Sequence, residues 1–154
     1  MIREAQINDL KQVSVILKEV HLLHQENRSD IFKELKEPID MTYHQKLIED
    51  EASKLYVQLD GDIVIGYMTL KLIEVKSHPV LKNKKIVKME ELALLKNYQG
   101  KGFGKSLFNK AIDYAKEIDA EKLDLQVWDF NIAAKEFYKK RGMKFKIHTL
   151  EYIV

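Results

Sequence analysis

The sequence of 154 residues contains no cysteine, and this absence excludes several kinds of chemistry at once. Disulfide bonds, thiolate metal sites and cysteine nucleophiles all need that residue. A chain without cysteine is also consistent with a reducing compartment, where disulfides are rare. Proline occurs twice and glycine six times, and three of those glycines fall within five residues. That glycine cluster is the most informative local feature of the chain.

Long apolar runs and an excess of one charge are missing as well. No apolar segment approaches the ~18 residues needed to span a bilayer, and the first residues do not resemble a secretory signal. The 26 basic and 24 acidic residues give a net charge of +2, without the asymmetry of a nucleic-acid-binding protein. We therefore expect a cytoplasmic protein with no membrane or nucleic-acid partner. Its length and its 45% hydrophobic content predict a single domain over residues 1–154.

The glycine cluster consists of Gly100, Gly102 and Gly104, between an apolar run at 92–95 and a helical pattern at 107–115. A strand, a glycine-rich turn and a helix together present backbone N–H groups and a helix N-terminus to a phosphate. Glycines allow this close approach because they have no Cβ. The segment therefore predicts a site for a phosphorylated ligand.

Three known phosphate loops can be compared with this segment. A dinucleotide fingerprint, G-x-G-x-x-G, would need its third glycine one residue later. A Walker A loop fits Gly104-Lys105-Ser106 at its end, but its opening glycine would stand at Gln99. The pattern Q/R-x-x-G-x-G/A is satisfied at all its fixed positions by Gln99, Gly102 and Gly104. A flexible loop before a helix is the alternative that needs no phosphate.

The rest of the chain alternates between segments of helical and of strand periodicity. Alternating apolar residues at 55–59 and 63–73 predict a hairpin with a type I′ turn at Asp60-Gly61. A short helix through 31–35 would end at Pro38. The other predicted elements are a strand at 2–5, helices from Asn8 to about residue 26 and at 41–50, a strand at 86–95, a helix to Glu117, a strand at 123–127, a helix at 131–140 and a last strand or pair of strands at 143–153.

Two segments in this order resemble the GNAT family of N-acetyltransferases. The first, Glu90 to Gly104, is similar to the family's acidic and apolar strand followed by its pyrophosphate loop. The second, Val127 to Met143, is similar to a cofactor segment in which an asparagine opens a helix and a tyrosine follows seven residues later. The resemblance covers essentially the whole chain. It implies an α/β fold, with a mixed, mostly antiparallel twisted sheet flanked by helices, and an acetyl-coenzyme A-dependent N-acetyltransferase.

The resemblance also implies which residues hold acetyl-coenzyme A. Backbone groups of the strand before the loop would pair with the pantetheine arm, and N–H groups of the loop would hold the pyrophosphate. Asn131 would bond to the cofactor arm, although asparagine is also a leading helix N-cap. The implied cofactor-binding residues are Leu92, Ala93, Leu94, Gln99, Gly100, Lys101, Gly102, Phe103, Gly104, Lys105 and Asn131.

The catalytic residues implied by the same resemblance are Glu90 and Tyr138. Tyr138 would protonate the departing thiolate of coenzyme A, the alternative being a core aromatic residue beside Phe137. The acceptor amine arrives as an ammonium and must lose a proton, which Glu90 or Glu91 could accept. Neighbours on a strand face opposite sides, so we expect only one of the two in the site. The resemblance favours Glu90.

The acceptor side carries no motif that names a substrate. In the family, the first helix and the loop after it border the acceptor site, so His24, Glu26, Arg28 and Asp30 are candidates for selecting the acceptor. His21 and His24 share a helix face, but no third ligand accompanies them and we expect no metal. The acceptor would be a primary amine of a small molecule, polyamine-like or amino-acid-like, or of a protein. The competing function is a non-catalytic acyl-coenzyme A sensor of the same fold, and a homodimer through the late strands is compatible with either.

Overall fold

The computed structural model describes residues 1–35 and 39–154 and arranges five strands in one sheet, in chain order. The first four strands are antiparallel neighbours, and the fifth joins the fourth in parallel. The predicted mixed, mostly antiparallel sheet flanked by helices is therefore confirmed. The strands are β1 Ile2–Glu4, β2 Ser53–Asp60, β3 Ile63–Val75, β4 Lys84–Leu94 and β5 Lys122–Leu125. The helices are α1 Leu10–Asn27, α2 Thr42–Glu49, α3 Phe103–Glu117 and α4 Ile132–Lys139.

The sheet is the middle layer of the fold because its central strands bury both of their faces. On β2, Val57 belongs to an apolar cluster with Val13 and Ile16 of α1. Its neighbour Tyr56 belongs to a second cluster on the opposite face, with Leu107 of α3. Consecutive buried residues of this kind are typical of strands covered on both sides. Among the described residues, no helix is long and apolar enough to cross a membrane.

The predicted hairpin is confirmed, with a correction to its turn. Asp60 pairs with Ile63, so the two-residue loop is Gly61-Asp62 rather than Asp60-Gly61. The positive φ of 57° falls on Gly61, the first loop position. A positive φ at that position alone is the pattern of a type II′ turn, whereas type I′ would need one at both positions.

An irregularity in β4 determines which side chains reach the site. Thr69 of β3 pairs with Glu91, and the next residue of β3 pairs with Met89, so Glu90 is an extra residue in β4. Met89 packs in the cluster beneath α3, whereas Ala93, four residues later, packs in the cluster beneath α1. The β-bulge therefore reverses the alternation of β4, that is, which of its residues face α3 and which face α1. As a result, Glu90 and Glu91 lie side by side on the α1 and α2 face.

Two predicted elements are wrong. Residues 32–35 have no regular secondary structure, and the ring of Phe32 instead stacks on His24, with ring centroids 5.1 Å apart. The predicted end of that helix at Pro38 lies outside the described residues. The last strand or pair of strands at 143–153 is also wrong, because this segment has no regular structure. A strand needs a neighbour, and within the described ranges no sheet strand pairs with these residues.

Candidate active site

β4 and β5 separate beyond their last pair, Met89 with Leu125, and this separation leaves one edge of β4 open. The other edge of β4 stays paired with β3 as far as Leu94. The backbone groups of residues 92–94 that do not bond to β3 therefore face a gap in the sheet. An extended chain of another molecule could pair there as an added strand. This is the position in which the family resemblance leads us to expect the pantetheine arm.

The glycine loop follows β4 directly and leads into α3. Gly100 and Gly102 have φ values of 75° and 91°, which side chains rarely tolerate. Gly102 is the N-cap of α3, and its carbonyl accepts the N–H of Ser106 at 3.1 Å. The N–H groups of residues 103–105 are therefore not used in the hydrogen bonds within the helix. They lie at the positive end of the helix dipole. The local geometry is suited to an anion such as a pyrophosphate.

Two other predicted cofactor residues, Gln99 and Lys101, make contacts within this segment. The side-chain nitrogen of Gln99 donates to the carbonyl of Leu94 at 3.2 Å, which ties the loop to the end of β4. The ammonium of Lys101 lies 5.3 Å from the ring centroid of Tyr98. A Cβ on Gly104 would lie 3.2 Å from the ring of Phe137, so glycine permits the close contact between α3 and α4.

α4 contributes the second predicted cofactor segment. The side-chain oxygen of Asn131 accepts the N–H of Ala134 at 3.1 Å, so the N-cap alternative describes its role in the fold. The hydroxyl of Tyr138 lies 3.9 Å from Sδ of Met89, next to the bulge of β4. Its ring also packs beside Phe137, with centroids 5.1 Å apart. Burial raises the pKa of Tyr138 to about 12, which keeps the hydroxyl protonated at neutral pH.

Glu90 and Glu91 both line a cavity of about 320 Å³ beside the gap, so the expectation that only one of them faces the site is wrong. The β-bulge is the physical reason, because it breaks the alternation of side chains along the strand. The hydroxyl of Tyr43 on α2 donates a hydrogen bond to Oε2 of Glu90, at 2.5 Å. Nε2 of His44, the next residue, lies 2.8 Å from Oε2 of Glu91. The full lining is Tyr43, Lys88, Met89, Glu90, Glu91 and Gln126.

The groups around the two carboxylates give the cavity an acidic wall. The nearest cation in the lining, Lys88, places its ammonium 4.0 Å from Glu90, and its side chain is 40% exposed. On the buried side, Nδ1 of His44 and the hydroxyl of Tyr67 have no hydrogen-bond partner among the described residues. Burial, and then the charge of Glu91, raise the pKa of Tyr67, so its hydroxyl stays protonated. Two adjacent carboxylates of this kind attract a cationic ligand.

The four residues predicted to select the acceptor lie outside the lining of this cavity. Arg28 forms two bonds to Asp30, at 2.8 and 2.9 Å, and a third to Glu151 at 3.0 Å. His24 is partly buried in an aromatic cluster, and burial lowers its pKa. Glu26 is exposed. In the part of the chain that the structure describes, no group of three residues could hold a metal ion.

Sequence reasoning missed Tyr43 and His44 as site residues, although the helix that carries them was predicted. The available indication was a histidine three residues before Leu47, which places it on the buried face of α2. A buried histidine on a short helix needs a polar partner, and Glu91 is that partner. Since 47 residues separate the two, nothing local to either segment identifies the pair.

Comparisons with known proteins agree with this geometry. The acetyltransferase (GNAT) family model matches residues 18–143, and the chain belongs to this family. An uncharacterized N-acetyltransferase of Lactobacillus delbrueckii subsp. lactis is 33% identical over 95 residues, which are 61% of this chain and 53% of that protein. The chain therefore spans about half the length of this curated relative.

Two solved structures show the same fold over the whole chain. A mutant of the BH1408 protein from Bacillus halodurans has a TM-score of 0.96 at 28% identity, covering 100% of this chain and 99% of that one. An aminoglycoside N-acetyltransferase in complex with coenzyme A has a TM-score of 0.75 at 10% identity, covering 100% and 98%. At that identity the second structure bears on the fold alone.

Proposed function

We propose that this protein is an acetyl-coenzyme A-dependent N-acetyltransferase, and that a primary amine attacks the thioester directly within a ternary complex. The observation that carries the proposal is the meeting of three features at the bulge of β4. These are the open strand edge with its glycine loop, the paired carboxylates Glu90 and Glu91, and the hydroxyl of Tyr138. Membership of the acetyltransferase family supports the same chemistry.

The cosubstrate would lie along the open edge of β4. Its pantetheine arm would pair with the backbone of residues 92–94, and its pyrophosphate would meet the N–H groups of residues 100–105. The –NH₂ group of Asn131 could donate to the arm, because the helix cap uses only the oxygen of that amide. Lys101 and Lys105 would add positive charge near the pyrophosphate.

The positions of the two carboxylates and the tyrosine support the following reaction steps. The acceptor enters as an ammonium and loses a proton to Glu90, directly or through a water, with Glu91 as the neighbouring alternative. The amine nitrogen then attacks the thioester carbon, and the N–H of Leu92 stabilises the oxyanion. The C–S bond breaks, and the thiolate takes a proton from Tyr138. The nitrogen, which is positively charged after the attack, releases its second proton through water to the phenolate of Tyr138, and Glu90 returns its proton to solvent. The products are an N-acetyl amide and free coenzyme A.

Tyr138 is suited to this role by position rather than by acidity. A thiol has an ordinary pKa of about 8.5, well below the raised pKa of the phenol, so full proton transfer is unfavourable in isolation. The high pKa has a compensating effect, because the hydroxyl remains protonated and able to donate throughout the neutral range. Proximity to the departing sulfur therefore makes Tyr138 the natural donor.

The acidic wall of the cavity supports an acceptor that carries a positive charge. An amine held as an ammonium between Glu90 and the ring of Tyr43, which is half exposed, would meet both charge and an aromatic face. A cavity of about 320 Å³ admits a small amine or the end of a longer chain. We therefore propose a small polyamine-like or amino-acid-like amine as the acceptor, with a lysine side chain or terminal amine of a protein as the second possibility.

Thiol release from acetyl-coenzyme A, measured across a panel of primary amines, tests the proposal. We expect turnover with one class of amine and its loss in Tyr138→Phe. Tyr114→Phe is the matched control, because Tyr114 is a buried tyrosine of α3 that does not line the cavity. Binding of acetyl-coenzyme A without thiol release on small amines or on peptides would instead favour the sensor.

A further inference from the structure

The two residues of α2 that contact the carboxylates of β4 do so in very different surroundings. The hydroxyl of Tyr43 donates to Glu90 from a residue that is half exposed. His44 is only 3% exposed, and its Nε2 lies 2.8 Å from Oε2 of Glu91. Water competes little for a buried hydrogen bond, and leaving one partner of such a bond unpaired is costly. The contact with His44 therefore constrains its carboxylate more tightly than the contact with Tyr43 does.

Other buried groups surround the carboxylate of Glu91. Thr69 lies opposite Glu91 on β3, and its hydroxyl donates to Oε2 of Glu91 at 3.5 Å. The ring of Tyr67, two residues before Thr69, lies beside the ring of His44, with centroids 6.0 Å apart. The hydrogen bonds from His44 and Thr69 both end on Oε2. Among the described contacts of Glu91, this leaves Oε1 for a ligand in the cavity.

The hydrogen-bonding of His44 indicates that its ring does not cancel the charge of Glu91. A carboxylate can only accept, so Nε2 of His44 carries the hydrogen of this contact. A second hydrogen, on Nδ1, would be buried without an acceptor in the described parts of the chain. Unpartnered acceptors are tolerated in protein interiors more often than unpartnered N–H groups. The neutral ring is therefore the favoured form, and Glu91 keeps its negative charge for the cavity.

We propose that His44 is a positioning residue, which holds Glu91 as the binding site for the ammonium of the acceptor while Glu90 takes the proton. The role of Glu90 rests on the proposed acetyl transfer, whereas cation binding at Glu91 does not. An ammonium has three N–H groups, so one can donate to Oε1 of Glu91 while another faces Glu90. After the proton has moved, the bond to Glu91 keeps the amine nitrogen in place for its attack.

The other contacts of the two carboxylates support this division of roles. The partners of Glu90 are Tyr43 and Lys88, and both are exposed to solvent. A base must release its proton to water after each turnover, which an exposed surrounding allows. Glu91 instead has the buried His44 and Thr69 behind it, on α2 and β3. A carboxylate held from two elements is suited to binding, because its geometry is fixed before the ligand arrives.

Binding of butylammonium, a cation with no other polar group, tests the site without any need for turnover. Chemical shifts of the isotope-labelled protein would follow a titration with butylammonium chloride, and butanol is the uncharged control ligand. Glu91→Gln and His44→Leu should each weaken butylammonium binding by about 10-fold, because a hydrogen bond to a charged group is lost or misplaced. His44→Gln should stay within about 3-fold of the unaltered chain, since its amide nitrogen can donate to Glu91 in place of Nε2.

The double variant His44→Leu with Glu91→Gln separates positioning from a general loss of structure. If His44 acts through Glu91, the double variant should bind butylammonium no more weakly than either single variant. Two independent effects would instead multiply to about 100-fold. Gln58→Leu is the matched control, because Gln58 is a buried polar residue of β2 outside the cavity lining. This control should bind butylammonium like the unaltered chain.

Steady-state kinetics with the best amine of the panel test the division of roles. His44→Leu should raise KM for the amine by about 10-fold and keep kcat within about 3-fold, whereas Glu90→Gln should mainly lower kcat. Butylammonium binding in the expected pattern, without thiol release on any amine, would support the cation site and refute acetyl transfer. The proposal would be overturned by an unaltered chain that does not bind butylammonium, by additive effects in the double variant, or by His44→Gln binding as weakly as His44→Leu.

Discussion

The two sides of the candidate active site are built in different ways. The proposed cofactor side is local, because the loop at 99–104 and the start of α3 are one continuous segment attached to the end of β4. The proposed acceptor side is assembled from distant segments, because Tyr43 and His44 of α2 meet carboxylates 47 residues further along the chain. A local motif constrains its own geometry, whereas the acceptor side depends on a single β-bulge and on the packing of α2 against the sheet. The two sides should therefore respond differently to substitution.

Removal of both carboxylates should have the largest effect, since the acceptor side then lacks a base and a negative charge. We expect Glu90→Gln with Glu91→Gln to lower kcat/KM by about 1,000-fold, within the range for a lost general base. Of the single variants, Glu90→Gln should be the more damaging. Steady-state kinetics with the best amine give the values, and Glu49→Gln, a carboxylate of α2 outside the cavity lining, should behave like the unaltered enzyme.

Substitution of the tyrosine at the junction of the two sides should affect the chemical step and not binding. Tyr138→Phe should lower kcat by about 100-fold while the affinity for acetyl-coenzyme A stays unchanged. Because burial raises the pKa of Tyr138 to about 12 and the protonated form is the active one, kcat should show no alkaline loss from this group below about pH 11. An equal loss of affinity for acetyl-coenzyme A would instead indicate a packing role.

On the proposed cofactor side, substitution of one loop glycine should weaken ligand binding. Gly102→Val should weaken acetyl-coenzyme A binding by about 30-fold, because φ of 91° strains a β-branched residue and the loop must change conformation to relieve that strain. Gly61→Val is the matched control, with φ of 57° in the hairpin far from the site. Calorimetric titration should show that this control variant binds acetyl-coenzyme A with unchanged affinity, even if its free energy of unfolding falls.

The smallest effect should come from the contact between α3 and α4. Gly104→Ala places a methyl group 3.2 Å from the ring of Phe137, which must shift by a few tenths of an ångström. We expect the free energy of unfolding in urea to fall by about 1 kcal/mol, the lower end for an overpacked core. A stability equal to that of the unaltered chain, with lost cosubstrate binding, would assign Gly104 to the cofactor alone.

The difference between the two sides also explains what the sequence could predict. The glycine loop, the helix after it and the capping position of Asn131 depend on nearby residues, and each element is found where the pattern predicts it. The positive φ values of Gly100 and Gly102 are local requirements that only glycine meets easily. For the same reason the fold family could be inferred from two short segments.

The bulge at Glu90 could not be predicted, because it is a property of the pairing between β3 and β4 rather than of either strand alone. Strict alternation of side chains along β4 therefore predicted one carboxylate in the site, whereas both Glu90 and Glu91 line the cavity. The late strand at 143–153 failed for a related reason, since strand-like residues form a strand only where a neighbour accepts their backbone groups. In both places the missing information was the identity of the partner segment.

Direct transfer between the two sides is the central claim, and initial velocities with acetyl-coenzyme A and the amine varied together test it most directly. A ternary complex predicts double-reciprocal lines that intersect, and a protein mass that gains no acetyl group when the amine is withheld. Parallel lines, together with an acetylated protein that passes its acetyl group to added amine, would contradict the account.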